Sequence, residues 1–275
     1  MLTSNSKLFS LTDKTIVITG GTGVLGQTMV KGLAAAGASV AILGRRKEVA
    51  EALVKEVRSL GGQAIAVKAD VLDREALTKA RETILQEFGS IQILVNAAGG
   101  NMPGAIVPPD KTFFDLNLDN FQKVVNLNLM GTVLPTQVFS DDMAKRKKGV
   151  IINIASMAAF RPLTRVVGYS AAKAAVENFT QWLAIEMAKK FGEGIRVNAI
   201  SPGFFLTEQN RTLLTNPDGS YTARGQAAIN QTPFARFGKP EELIGTLVWL
   251  CSDASAFVTG VNVPVDGGFN VFGGV

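Results

Sequence analysis

Histidine is absent from the 275 residues of this chain. Its absence excludes a Ser-His nucleophile and any metal site built on imidazole. Cysteine occurs once, as Cys251, so an intrachain disulfide is excluded. In the apolar helical setting Leu247-Val-Trp-Leu-Cys251 it reads as a buried, inert thiol. No apolar run reaches the ~18 residues of a membrane span. The first residues, Met1 to Lys7, also lack the apolar core of a secretory signal. The expectation is a cytoplasmic protein with no membrane partner and no metal.

With 47% hydrophobic and 19% charged residues, the chain has a globular composition and suffices for one large α/β domain or two small ones. Its formal charge is +5, and the only dense basic run is Lys145-Arg-Lys-Lys148. That run falls where a helix should end, a place where cations complement the helix dipole and are usually solvated. No nucleic-acid partner is expected. Dispersed positive charge also suits an anionic small molecule.

One unit recurs along the sequence: a short β-branched run, a turn, then an amphipathic helix. Strands are predicted at 15–19, 39–43, 64–69, 91–96, 150–154, 195–200 and 261–265, with helical patterns such as 24–36, 49–60 and 75–88 between them. Such alternation specifies an α/β fold, a doubly wound Rossmann-type parallel sheet of about seven strands with helices on both faces. No Pro/Ser-rich linker divides it, so residues 1–275 are read as one domain. Ligands of such sheets bind outside the carboxyl ends of the strands.

The first predicted strand runs into Thr19-Gly-Gly-Thr-Gly-Val-Leu-Gly26, which opens a helix. Gly20, Thr22, Gly23, Val24, Leu25 and Gly26 are therefore candidates to cradle a pyrophosphate on free backbone amides. The same glycines would also serve a tight strand-to-helix turn on steric grounds alone. The second strand ends at Leu43-Gly-Arg-Arg46, without the acid that would accept hydrogen bonds from a free ribose hydroxyl. Arg45 and Arg46 instead favour a 2′-phosphate, so NADP(H) is the preferred cofactor and NAD(H) the other. Arginines pointing into water are the simpler alternative.

One of the two tyrosines lies in Gly168-Tyr-Ser-Ala-Ala-Lys173. A spacing of four on a helix stacks the Tyr169 phenol and the Lys173 ammonium one turn apart. A neighbouring cation stabilises a phenolate and lowers its pKa, as a general acid/base for a carbonyl requires. Alone, the pair reads first as a snorkelled surface contact.

Taken with Asp70-Val71, Asn96-Ala-Ala-Gly99, Asn128, Ser156 and Pro202-Gly203, these motifs resemble the short-chain dehydrogenase/reductase family over essentially the whole chain. The turn departs from the family pattern at its sixth position, where Val24 stands instead of glycine. The resemblance implies that Tyr169 exchanges a proton with the substrate oxygen and that Lys173 lowers its pKa and binds the nicotinamide ribose. It implies further that Ser156 polarises the carbonyl and that Asn128 holds a relay water. Asp70 and Val71 would border the adenine, Asn96, Ala97 and Gly99 the adenosine ribose, and Pro202 and Gly203 the nicotinamide. As plain structural residues, Asp70 would cap a helix, Ser156 would end a strand and Asn128 would cap or kink its helix.

Substrate choice is expected in the segment Gly100 to Asp110, which carries Asn101, and in a loop from about 204 to 238, which carries Gln209, Arg211 and Arg224. Arg161 and Arg165 add positive charge between Ser156 and Tyr169, suited to a carboxylate. The stretches Phe160 to Tyr169 and Pro202 to Arg211 are similar to the D-mannonate oxidoreductase (fructuronate reductase) branch of the family. That similarity implies interconversion of D-fructuronate and D-mannonate. A reductase of a keto-gluconate or 3-oxoacyl substrate is the alternative of the same chemistry. A dinucleotide-binding regulator without turnover is the alternative of another class, against which the intact Asn-Ser-Tyr-Lys set argues. The resemblance also implies a homotetramer, packed through long helices around Leu116 to Lys145 and Gly168 to Phe191.

Overall fold

A computed structural model describes residues 5–207 and 210–274. Its first half reads β1 (Thr15–Thr19), α1 (Val24–Ala35), β2 (Ser39–Gly44), α2 (Lys47–Ser59), β3 (Gln63–Lys68), α3 (Arg74–Phe88) and β4 (Ile93–Asn96). Then come α4 (Leu118–Val125), a π-turn over Asn126–Met130, α5 (Gly131–Phe139), α6 (Asp141–Arg146) and β5 (Gly149–Ile154). The remainder is α7 (Met157–Phe160), α8 (Val167–Phe191), β6 (Ile195–Pro202), α9 (Arg211–Leu214), α10 (Ala223–Asn230), α11 (Ile244–Cys251) and β7 (Asn262–Val265).

The seven strands form one parallel sheet in the order β3-β2-β1-β4-β5-β6-β7. Alternate side chains of each strand leave on opposite faces, and here both faces are covered, so the central strands are apolar throughout. Ile16, Ile18, Val40 and Ile42 pack with Met29 and Leu33 of α1 and Leu247 and Leu250 of α11. Val17, Ala41 and Leu43 pack on the other face with Leu77 and Ile84 of α3, Phe139 of α5 and Leu183 of α8. Each such side chain removed from water contributes about 1.5–3 kcal/mol before entropy is subtracted.

Leu116 to Lys145, expected as one long helix, is interrupted. The Gly131 amide bonds to Asn126 O, five residues back, and the Asn128 side chain takes the Val124 carbonyl at 2.8 Å. Pro135 adds a missing donor inside α5. The basic run is partly engaged, since Lys145 pairs with Asp141 at 2.6 Å and Arg146 donates to the Ile91 carbonyl. Cys251 is buried on α11, and burial pushes its thiol up to about 12. No helix among the described residues is long and apolar enough to cross a membrane.

The described residues of the segment 204–238 gather around a small core of Leu214, Ala228, Ile229 and Phe237. A bridge between Phe205 and Gly238 ties its two ends together. Gln209 lies outside the described residues.

Candidate active site

The strand order reverses between β1 and β4, and that switch point opens a crevice at the carboxyl ends of the two strands. Thr19 braces it: its buried hydroxyl accepts the amides of Ala97 at 3.1 Å and Ala98 at 3.2 Å. Gly20 turns with φ +66°, and a Cβ there would lie 2.7 Å from Ala97 O and from the backbone of Ala98. A Cβ on Gly26 would strike the Gly20 carbonyl. These are contacts only glycine permits.

Gly23 is the N-cap of α1 and gives no side-chain cap, so the amides of Val24, Leu25 and Gly26 open the helix without intrahelical partners. Val24 in place of the family's glycine is thus the first helical residue, in ordinary helical backbone. A cradle of glycines beneath a free helix N-terminus fits a dinucleotide pyrophosphate.

The two arginines after β2 part company. Arg46 folds back and donates to the Thr22 carbonyl, clamping the glycine turn. Arg45 is largely exposed and stands 4.0 Å from Asp70. Asp70 accepts the Leu72 amide at 2.9 Å, while the cap of α3 is Asp73. Val71 is buried, in contact range of Gly131.

Asn96 departs from its expected place beside the ribose. Its side chain is 1% exposed and points beneath the sheet, donating to Thr136 Oγ1 and Asn153 Oδ1, each at 2.9 Å. The chain of bonds continues from Asn153 to Thr180 and from Thr136 through Thr132 to the Asn128 carbonyl. Strand parity explains this: Asn96 pairs in register with Asn153, and both face the α5/α8 side. This buried network was not foreseen. Ala97 and Gly99 remain at the crevice, and Pro202 and Gly203 end β6, where the Gly203 amide bonds to Val265 O at 2.9 Å.

Ser156, Tyr169 and Lys173 converge beyond β5. Ser156 caps α7, its Oγ accepting the Ala158 amide at 3.2 Å, and lies close enough to the Tyr169 phenol to influence its titration. Lys173, 4% exposed on α8, donates to the Ile154 carbonyl at 2.7 Å, and its Nζ lies 5.6 Å from the Tyr169 ring centre. Burial lowers the Lys173 pKa to about 8. The phenol behaves differently from expectation: burial raises its pKa, and the influence opposing that rise is the neighbouring Ser156 hydroxyl. The ammonium is engaged at Ile154 and faces the ring.

Asn128 is fully buried in the π-turn. It grips Gly100 at both ends, accepting from its amide at 3.0 Å and donating to its carbonyl at 2.7 Å. A Cβ on Gly99 would approach Asn128 Oδ1 to 2.7 Å and Lys173 Nζ to 3.3 Å, so the loop after β4 touches both residues. Ser201 supports the site from below, donating to the Ser156 carbonyl at 3.1 Å. Nothing in the sequence singled out Ser201.

Of the residues proposed for substrate, Asn101 is exposed on the loop after β4 and Arg211 is exposed at the start of α9. Arg161 is engaged elsewhere, its Nη1 donating to the Phe272 carbonyl at 3.0 Å. Arg165 stands in left-handed backbone, φ +72°, with its carbonyl taking the Val107 amide at 2.9 Å. It lies close enough to the half-buried Arg224 of α10 that, after burial, its charge helps lower the Arg224 pKa.

Residues 14–218 match the family model for short chain dehydrogenase. The chain is 49% identical over 275 residues to the uncharacterized oxidoreductase UxuB of Bacillus subtilis (strain 168), covering 97% of this chain and 98% of that protein. A solved structure of a candidate D-mannonate oxidoreductase from Haemophilus influenza, with bound NAD, superposes with a TM-score of 0.92 at 44% identity, covering 99% of this chain and 100% of that one. A gluconate 5-dehydrogenase from Burkholderia cenocepacia J2315, in complex with NADP and tartrate, superposes at 0.86 with 31% identity, covering 98% and 100%. The chain belongs to the short-chain dehydrogenase/reductase family and is an NAD(P)-dependent oxidoreductase.

Proposed function

We propose that the chain interconverts the ketone and secondary-alcohol forms of a sugar acid, with D-fructuronate and D-mannonate as the pair. The observation that carries this reading is the convergence of Ser156, Tyr169 and Lys173, with Arg165, four residues before Tyr169, close enough to Arg224 of the segment 204–238 for the two charges to act on each other. Neither arginine has an ion-pair partner among the described residues. Two neighbouring guanidiniums that repel each other suit a carboxylate.

The glycine turn of 20–26, with Arg46 behind it, would hold the dinucleotide pyrophosphate. The nicotinamide, when bound, supplies or accepts the hydride. Tyr169 delivers a proton to the substrate oxygen in reduction and withdraws it in oxidation. Ser156 donates to the same oxygen as negative charge develops. Lys173, 4% exposed and gripping Ile154 O, keeps a cationic charge beside the phenol at pH below about 8 and orients the ribose side. Asn128 holds the loop after β4 against Lys173. Arg45, exposed after β2, would read a ribose 2′-phosphate, which favours NADP(H). The similarity to a protein solved with NAD keeps NAD(H) as the second cofactor.

The second reading, reduction of a keto-gluconate, is favoured by the similarity to the gluconate 5-dehydrogenase. A panel of D-mannonate, D-gluconate and neutral sugar alcohols, each with NAD⁺ and NADP⁺ and followed at the nicotinamide absorbance, separates the two. Turnover of D-mannonate above the others is expected. Preference for a neutral alcohol would overturn the sugar-acid reading.

A homotetramer belongs to the same proposal. Trp182 and Ile185 of α8 are more than half exposed, as are Phe114 and Leu118 ahead of and within α4, an apolar surface that a second copy would cover. Light scattering at micromolar concentration should return four times the 29.1 kDa chain mass; a monomer would contradict it.

A further inference from the structure

We infer that the segment after β7 is a strap across the substrate mouth and that Arg161 is the positioning residue that pins it, rather than a substrate ligand. The inference rests on the hydride-transfer reading of the Ser156–Tyr169 site and adds a wall to that site.

The strap is anchored at each step of its path. Asp266, directly after β7, accepts the amides of Gly268 at 2.9 Å and Asn270 at 2.7 Å. Gly267 and Gly268 adopt φ +64° and +92°, and the Gly267 carbonyl accepts the Phe234 amide at 3.1 Å. That bond ties the strap to the far end of the segment 204–238. Phe269, 8% exposed, meets Phe204 edge to face at 5.2 Å. Phe204 directly follows Pro202-Gly203, so this contact lies at the carboxyl end of β6.

Beyond Phe269 the strap is held differently. Val271 is 81% exposed and buries little. From Val271 onward the side-chain bond that holds the strap is the one from Arg161 Nη1 to the Phe272 carbonyl at 3.0 Å, spanning 111 positions of sequence. Arg161 follows α7, the short helix capped by Ser156, and its own amide bonds to Met157 O at 3.0 Å. One guanidinium therefore links the strap to the turn that carries Ser156. Glycines at 273 and 274 add no side chain to hold the end in place. Asn270 is held by Asp266 and Phe272 is only half-buried, so release of the Arg161 bond should free Val271 to Gly274 and leave the remainder seated.

The test compares five proteins saturated with NAD(P)H: wild type, Arg161→Ala, Arg161→Lys, a chain ending at Asn270, and that shortened chain with Arg161→Ala. Amide exchange over 271–274 should quicken about tenfold in Arg161→Ala, the loss of one charge-assisted bond, and Arg161→Lys should restore at least half of the protection. With the sugar acid turned over fastest by the wild type, Arg161→Ala should raise KM about threefold to tenfold through the disordered wall, with kcat within about twofold. The shortened chain should show the same rise, and adding Arg161→Ala to it should change KM no further. Unchanged exchange in Arg161→Ala would overturn the strap. A full additional rise in KM when Arg161→Ala is combined with the truncation would place Arg161 on the substrate and also overturn it. Exchange needs no substrate, so a silent sugar-acid panel would sink the proposed function while this inference was decided by exchange alone.

Discussion

The Lys173 ammonium lies 5.6 Å from the centre of the Tyr169 ring, one helical turn away on α8, and donates to the carbonyl of Ile154 on β5. Four residues of sequence thus join helix, sheet and reacting group. A phenol raised by burial stays protonated before the reaction, and the Lys173 cation facing its ring can stabilise the phenolate left when that proton passes to a carbonyl oxygen. Tyr169→Phe should lower kcat by about 10²–10⁴, the usual worth of general acid/base catalysis. Dinucleotide affinity, measured by nicotinamide fluorescence, should stay within about twofold because the glycine cradle is untouched.

Lys173 leaves a signature in stability. Its pKa of about 8 in the folded chain lies below the ordinary 10.5. Between those values the unfolded chain binds more protons, so this group makes stability rise with pH across the window from about 8 to 10.5. Below it the full burial penalty of the ammonium is present. Relative to Lys173→Met, the wild type should therefore gain roughly 3 kcal/mol between pH 7 and pH 10.5 in denaturant titrations. A difference that stays flat over that range would contradict the lowered pKa.

The two arginines after β2 should separate cofactor reading from cofactor holding. Arg45→Ala should weaken NADPH about tenfold more than NADH, since only the phosphate loses a charged partner. Arg46→Ala, which removes the clamp on Thr22 O, should weaken both dinucleotides alike. Calorimetric titration of each variant with each dinucleotide distinguishes the outcomes.

Arg165 and Arg224 should act on the substrate carboxylate. Replacing either with alanine is expected to raise KM for a sugar acid by about tenfold or more, the worth of a charged hydrogen bond. KM for a neutral ketone should change little or fall, because the repulsion between the two cations is relieved. Equal effects on both substrates would remove the arginines from carboxylate recognition.

Asn153 stands at the centre of the buried network, bonded to Asn96 and Thr180. Asn153→Leu should cost about 1–3 kcal/mol in thermal or chemical unfolding by leaving partners unsatisfied. A variant as stable as the wild type would show that the network carries no net stability.

Much of this architecture is written in local pattern. The β-branched runs and the glycine turn identify the sheet and the dinucleotide crevice because each depends on neighbours within a few residues. Tyr169 and Lys173 are legible for the same reason, through helical periodicity. The motif around Asn96 suggests a place beside the ribose, whereas strand parity sends its side chain beneath the sheet with Asn153. The partner of Arg161 is a carbonyl 111 residues distant, reached only through the path of the strap, and no local pattern encodes it. Ser201 beneath Ser156 and the closeness of Arg165 to Arg224 depend on tertiary packing in the same way.

The measurement that bears most directly on the central claim is the rate of nicotinamide reduction when D-mannonate is offered with NAD⁺ and with NADP⁺ to the wild type and to Tyr169→Phe. The account predicts turnover by the wild type with at least one of the two dinucleotides and loss of that turnover in Tyr169→Phe while the dinucleotide still binds. Equal rates in the two proteins, or a wild type that binds dinucleotide and oxidises neutral alcohols but no sugar acid, would contradict it.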